Sequence, residues 1–317
     1  MTAFLLRRLL QTLLVAFLVS VLVFSIILLI PGDPATAMLG ELANEQDIAL
    51  LKRKLGLDQP LYMQYLHWVG NAIQGDLGRS MHTRFPVTEL IARALPYTIQ
   101  LALCGMILAV VIGIPAGLIA ARRHGKSPDM VMRGLTTIGM AMPNFWLGIL
   151  LILVFSLWLD LLPPSGIVPI SESFRGWATS MILPALTIAA SFTAVVVRQT
   201  RSAFLEVLRT DYIRTARAKG LPEYMVITPH ALRNVLIPVL TVVGLQTGRL
   251  LGGAVVTETI FSIPGMGSLI VEGVNGRDFV VVQAGIMVAA LGVLGINLLV
   301  DVLYGVIDPR IRLAGRS

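Results

Sequence analysis

The chain separates into long apolar runs joined by charged connections. The runs cover residues 9–30, 97–121, 134–159, 180–197, 235–256 and 280–307. A helix crosses the hydrocarbon core with about 20 residues, so the pattern predicts six membrane-spanning helices. The first run is too long for a signal-peptide core. It ends in Pro31, Gly32, Asp33 and Pro34 instead of a small-residue cleavage site, so it is read as an uncleaved span. Residues 31–94 are too polar for membrane and are read as an outer segment. Within it Asn44 is placed to cap a helix over 45–55 that Gly56 ends. Asp58 and Pro60 open a second helix, with Leu61, Tyr65, Trp68 and Ala72 on one stripe, read as packing and not as a ligand cage.

Three runs carry internal features. Gly113, Pro115 and Gly117 in the second and Gly244, Gly248 and Gly252 in the fifth make small-residue ridges, which let helices approach closely in lipid or slide during gating. Pro143 and Asn144 interrupt the third run. The interruption is either a plain proline kink or a break that faces a pathway, where water or protein satisfies the freed backbone groups.

The connection between the fourth and fifth runs is basic and helix-prone. Thr210 or Asp211 is placed to N-cap a helix of about two turns, Gly220 to end it in the left-handed conformation, and Pro222 to prevent its resumption. Its expected outer face holds Tyr212, Ala216 and Lys219, with Ala216 and Gly220 small enough for close approach of another surface. Thr228 and Pro229 read as N-cap and N1 of the next helix, which leads through His230 and Arg233 into the fifth run.

Composition agrees with the runs. Of 317 residues, 56% are hydrophobic and 14% charged, with a mean hydropathy of +0.80, well outside the range of soluble domains. The net charge of +7 is topological. A cytoplasmic N-terminus puts inside Arg7 and Arg8, the group from Arg122 to Arg133, the group from Arg198 to Arg233, and Arg310, Arg312 and Arg316. Acids including Asp33, Asp58, Asp76, Glu172, Glu258 and Asp278 then fall outside. That asymmetry obeys the positive-inside rule and removes the case for a nucleic-acid surface. The single cysteine, Cys104, lies in an apolar run and offers neither a disulfide nor a metal cluster.

No catalytic constellation assembles. His67, His82, His124 and His230 all lie in expected loops, and Asp301 is the one aspartate in a span. Gly125, Lys126 and Ser127 resemble the end of a P-loop, but Ala120 stands where its first glycine belongs. The chain is not expected to hydrolyse ATP. Arg249 and Asp301 are the membrane charges, each costly at mid-bilayer and therefore expected to be paired or near an interface; whether they pair with each other is left open. An ion-coupled carrier, the alternative from another class, would bury more ionisable groups than these.

The connection at 201–234 resembles the EAA loop of ABC importer permeases, in the dipeptide, oligopeptide and nickel group. Arg214, Thr215 and Ala216 stand where the name-giving motif has Glu, Ala, Ala, and the step from Gly220 to Pro238 is longer than in sugar permeases; both departures are usual in the peptide group. The outer segment, the run TETIFSIPGMG at 257–267, and Asn297, Asp301 and Tyr304 with Asp308, Pro309 and Arg310 resemble the same group. The resemblance implies an all-α, six-helix type I ABC importer permease, with a first helix at 1–30, the outer segment at 31–94, a core at 95–308 and a cytoplasmic tail at 309–317. Both termini would be cytoplasmic, in a prokaryotic inner membrane. Its partners would be a second homologous permease, two ATPase subunits carrying ATP and Mg, and an extracytoplasmic solute-binding protein. The chain itself would have no cofactor, metal or catalytic residue. Tyr212, Ala216, Lys219 and Gly220 would couple to the ATPase, and Pro143, Asn144, Arg249 and Asp301 are the pathway or gating candidates. Di- or oligopeptides are the expected cargo, with nickel or another small solute as the alternative.

Overall fold

The computed structural model describes residues 2–29, 44–54, 56–220, 222–226 and 231–307. Among them the chain is helical, in the order α1 (Thr2–Leu29), α2 (Glu45–Lys54), α3 (Leu61–Ile73), α4 (Val87–Arg122), α5 (Ser127–Ala141), α6 (Asn144–Leu151), α7 (Phe174–Val207), α8 (Asp211–Ala218), α9 (Arg233–Ile260), α10 (Met266–Asn275) and α11 (Phe279–Ile307). A π-helical stretch, Ile152–Trp158, continues α6, and a single turn, Glu223–Met225, follows α8. Among the described residues four helices are long and apolar enough to cross a membrane, and the total is six when each of two bent pairs counts as one span.

The chain forms two compact units. One holds Thr2–Tyr97 with Pro264–Leu298, and the other Thr98–Ile263 with the stretch from Leu299. In the first unit the aromatic stripe of α3 packs on α1. Tyr65 meets Phe17 and Phe24 edge-on at centroid distances of 6.4 and 5.5 Å, and its hydroxyl lies 2.7 Å from Ser20 Oγ. The expected packing role holds for Tyr65 and Trp68, whereas Leu61 is exposed. Asn44 Oδ1 accepts from the Gln46 N–H at the start of α2, as its position predicts. A core of Val87, Ile91 and Ala94 from α4, Met266 from α10, and Val281 and Ala284 from α11 completes the unit. Buried Asp278 caps α11 by accepting the Val281 N–H on Oδ1. Its Oδ2 accepts from the Ser80 hydroxyl at 2.6 Å and the Met81 N–H at 2.9 Å.

The second unit is built on α7, whose buried residues run from Ser180 to Phe204. The glycine ridge of α4 lies against it. A Cβ at Gly117 would come 2.6 Å from Thr200 Cβ and 2.7 Å from the Val197 carbonyl oxygen, and one at Gly113 would come 2.7 Å from Val196 Cγ1. Only a residue without a side chain permits that approach, so this ridge is a packing surface. On α9, among the described residues, no atom lies within 4 Å of a Cβ built at Gly252.

Of the two readings the sequence left open for the third apolar run, a plain kink or a break, the structure has the break. The run forms two helices, α5 and α6–Trp158, whose axes turn by 106°. The cause is local. The residue before a proline is driven out of the helical region, and both Met142 (ψ 124°) and Pro143 (ψ 137°) are extended. Two successive extended residues redirect the chain before Leu147 N–H bonds the Pro143 carbonyl and α6 begins. The fifth run also bends, by 61° between 234–248 and 252–260.

Candidate coupling surface and translocation site

Helix α8 has eight residues, as expected, with Asp211 in its first turn and Arg217 in its last, the arrangement the helix dipole favours. Neither candidate N-cap side chain caps it. The Thr210 hydroxyl instead donates to the Val207 carbonyl at 2.6 Å, closing the preceding helix, while Asp211 accepts from Arg214 at 3.2 Å on the exposed surface. At the other end Gly220 has φ +74° and its N–H bonds the Arg217 carbonyl at 2.9 Å. This is the left-handed terminus that its position predicts. Across the turn Arg217 Nη2 donates to Glu223 Oε1 at 2.8 Å. That hydrogen bond holds the Glu223 carboxyl below its ordinary range and raises the Arg217 guanidinium above its own.

One member of the expected outer face is misplaced. Ala216 is buried, together with Ile213, whose exposure is 0%. Residues three apart share a helix face, so Ile213 and Ala216 seat α8 on its own chain. The exposed side carries Tyr212, Arg214, Thr215, Ala218 and Lys219, with Gly220 beyond it. The small exposed residue is thus Ala218. Tyr212 has a second attachment: its hydroxyl accepts from Asn234 Nδ2 at 2.8 Å, at the start of α9. Thr228, Pro229 and His230 lie outside the described residues.

The turn between α4 and α5 holds a charge cluster that the pattern of the chain did not single out. Asp129 is fully buried and accepts from Arg201 Nε on Oδ1 at 2.6 Å. Its Oδ2 accepts from Arg201 Nη2 at 2.9 Å and the Gly125 N–H at 3.0 Å, with His124 Nδ1 at 3.2 Å. The cluster fastens the α4–α5 turn to the end of α7, just ahead of α8. Its signal was present, since Asp129 is the sole acid between Arg122 and Arg133. Glu258, assigned from the sequence to the outer charges, is completely buried in α9 and accepts from the Thr98 hydroxyl at 2.6 Å.

At the α5–α6 break lies a cavity of about 260 Å³. Asn144 enters it from the first residue of α6, Ser191 from α7 and Gln246 from α9, among apolar neighbours including Met140, Ile188 and Leu250. Gly253, past the bend of α9, also lines it, and a Cβ there would lie 3.7 Å from Asn144 Nδ2. Of the four pathway candidates, Asn144 lines this cavity and Pro143 stands at the break beside it. Asp301 is half-buried on α11. The side chain of Arg249, and with it the pairing to Asp301, lies outside the described residues, as do Asp308, Pro309 and Arg310.

The arrangement offers an exposed helix seated on a membrane-spanning body, and a largely apolar cavity with three polar side chains where that body's helices bend. Residues 113–313 match the family described as binding-protein-dependent transport system inner membrane component, and residues 1–102 match the N-terminal region of such membrane components. The chain belongs to this family: it is a permease subunit of an ABC importer, a multi-pass inner-membrane translocation subunit that works with an ATPase and a solute-binding protein. Over 312 residues, 98% of this chain and 99% of the relative, it is 46% identical to the glutathione transport system permease protein GsiC of Escherichia coli (strain K12). The same identity and coverage hold for the protein of that name from Shigella dysenteriae serotype 1 (strain Sd197), and the identity is 45% for that of Shigella boydii serotype 4 (strain Sb227).

Proposed function

We propose that the chain imports small peptides, of the glutathione kind or di- and oligopeptides, by alternating access driven from a separate ATPase. The observation that carries this reading is the end-to-end similarity, at 46% identity, to permeases named for glutathione transport. Two ATPase subunits with ATP and Mg bind on the cytoplasmic side, a second homologous permease completes the pathway, and an extracytoplasmic solute-binding protein delivers the cargo above the segment at 31–94. The N-terminus, the α4–α5 turn, α8 and the C-terminal tail face the cytoplasm, in accord with the positive-inside rule.

Coupling runs through α8. Its exposed residues Tyr212 and Lys219, with Gly220, meet the ATPase, while Ile213, Ala216 and the Tyr212–Asn234 hydrogen bond tie it to the body and to α9. A displacement imposed on α8 is therefore delivered to the start of α9, the helix that carries Gln246 into the cavity. Pro143 and Asn144 supply the break against which α9 moves.

The test is uptake into proteoliposomes holding both permeases and the ATPases, with glutathione, a dipeptide and a tripeptide offered on the binding protein. Uptake that needs both ATP and binding protein is expected for at least one of them. Absence of such uptake for all three would remove the peptide reading.

A further inference from the structure

A second cavity, of about 390 Å³, lies between α5 and α7. It borders the same helix faces as the cavity at the α5–α6 break. On one wall Arg133 and Thr137 precede Met140, and on the other Ser191 and Val195 precede Arg198 and Ser202, at the three- and four-residue steps that keep to one face. The two cavities are therefore successive parts of one groove. The apolar strip of α5 suited to lipid, exposed Val131, Leu135 and Ile138, stands on a different face. Arg198 lies about 30 Å along α7 from Trp177, roughly the thickness of the hydrocarbon core, at the end that the positive-inside rule puts in the cytoplasm. This part of the groove is its inner mouth.

The charge of the mouth selects its guest. Arg133, Arg198 and Arg201 all line it, and Arg198 and Arg201 are three apart on one helix, a spacing that makes neighbours of like charges. Asp129 answers Arg201 through Nε and Nη2, which fixes that guanidinium and leaves its Nη1 edge for a further acceptor. Arg133 and Arg198 add two positive charges on the exposed rim. Thr136 and Thr137 spend their hydroxyls on the Arg133 carbonyl, each at 2.9 Å, so recognition falls to the guanidiniums. The guanidinium fork matches the two oxygens of a carboxylate, and a peptide ends in a carboxylate whatever its side chains.

We propose that Arg133, Arg198 and Arg201 form an oxyanion site at the inner mouth of the pathway, which holds the terminal carboxylate of a peptide on the cytoplasmic side. A peptide that accumulates inside occupies the site and slows further import, and its free acid does so better than its amide. This rests on the reading of the chain as a peptide importer.

The experiment uses the complete transporter in proteoliposomes, with ATP and the ATPase subunits on the luminal side and binding protein loaded with a labelled tripeptide outside. The lumen is preloaded with the unlabelled tripeptide, either as the free acid or as its C-terminal amide, so that it meets the inner mouth without passing the binding protein. Half-inhibition of the initial uptake rate is expected at about a five-fold lower concentration of acid than of amide, the effect of one solvent-exposed ion pair. Arg198→Gln and Arg133→Gln should each bring the two concentrations together, whereas Arg198→Lys should keep part of the ratio. Each variant is referred to its own uptake into empty vesicles, and either glutamine variant decides the matter if the other does not assemble with the ATPase. Equal inhibition by acid and amide in the wild type, or a wild-type ratio in the glutamine variants, would overturn the proposal and leave peptide import standing. Wild-type uptake that is lost when phosphatidylglycerol is replaced by phosphatidylcholine, with no preference for the acid, would assign the arginines to a lipid headgroup and overturn it likewise. Absence of any uptake that needs ATP and binding protein, in empty vesicles, would remove the import reading instead.

Discussion

Replacing Asp129 by asparagine keeps the shape of a fully buried side chain and removes its charge. The site cannot accommodate the amide in either orientation. With the nitrogen at the Oδ1 position it faces Arg201 Nε, and at the Oδ2 position it faces both Arg201 Nη2 and the Gly125 N–H. Donors would meet donors, and the guanidinium would lose its counter-ion. Breaking a buried pair in this way costs about 3–5 kcal/mol. The Arg201 side chain keeps 17% of its exposure, so water reaches it and the loss falls at about 2–3 kcal/mol after that screening. At about 2–4 °C per kcal/mol, the expected drop in melting temperature is about 5–10 °C. Cys104 is the single cysteine and is half-buried in α4, so a thiol-reactive fluorescent probe reports unfolding at one known place. Arg201→Gln added to Asp129→Asn should recover part of the loss, because the unpaired cation is gone. A melting temperature within about 2 °C of wild type, or a double variant as unstable as the sum of the singles, would refute the reasoning.

Four further outcomes follow from the same contacts. Gly117→Val should prevent close packing of α4 on α7, costing about 1–3 kcal/mol or more because the Val197 carbonyl 2.7 Å away is backbone; Gly252→Ala, with nothing within 4 Å, should be neutral in the isolated chain, both checked by Cys104 labelling on heating. Ala216→Glu should destabilise α8 itself, since that residue is buried, whereas exposed Lys219→Glu should leave the melting temperature unchanged and weaken co-purification of the ATPase. Gly220→Val, at φ +74°, should cost about 1–2 kcal/mol in backbone strain, seen as faster proteolysis at the end of α8 while membrane insertion is retained. The Glu223 carboxyl is lowered from 4.5 by Arg217, so its contribution is fully present above about pH 4.5 and fades as the pH falls through the lower folded-state value. The pair is half-exposed and adds less than about 1 kcal/mol; Glu223→Gln should therefore leave proteolysis near Gly220 almost unchanged at pH 7 and flatten its rise in acid.

What could be read from the sequence divides by the range of the interaction that decides it. Six apolar runs are legible because bilayer thickness converts length into a span whatever the neighbours are. Gly220 is legible because a left-handed backbone restricts residue type at that one position. Pro143 announced a break but not a turn of 106°, which needs Met142 and Pro143 extended together. On α8 the expected exposure holds for Tyr212 and Lys219 but not for Ala216, which the helical wheel puts in their sector although it borders the seated side. Ile213, the one branched apolar residue in DYIRTARA, was the available signal, and with Ala216 three positions on it marks the seated side. Asn144, Ser191 and Gln246 lie on three different helices and meet only because α7 brings α6 and α9 together.

This last juxtaposition connects the two parts of the site. The helix that receives the Tyr212–Asn234 bond at its start is the helix that carries Gln246 into the cavity and bends before Gly253. On the proposed coupling through α8, a force applied at its exposed face would reach the cavity along α9, and the bend of α9 is where it would change the cavity's shape. If the bend is the element that responds, ATPase docking and occupancy of the cavity are two loads on the same helix, and each must bias the other.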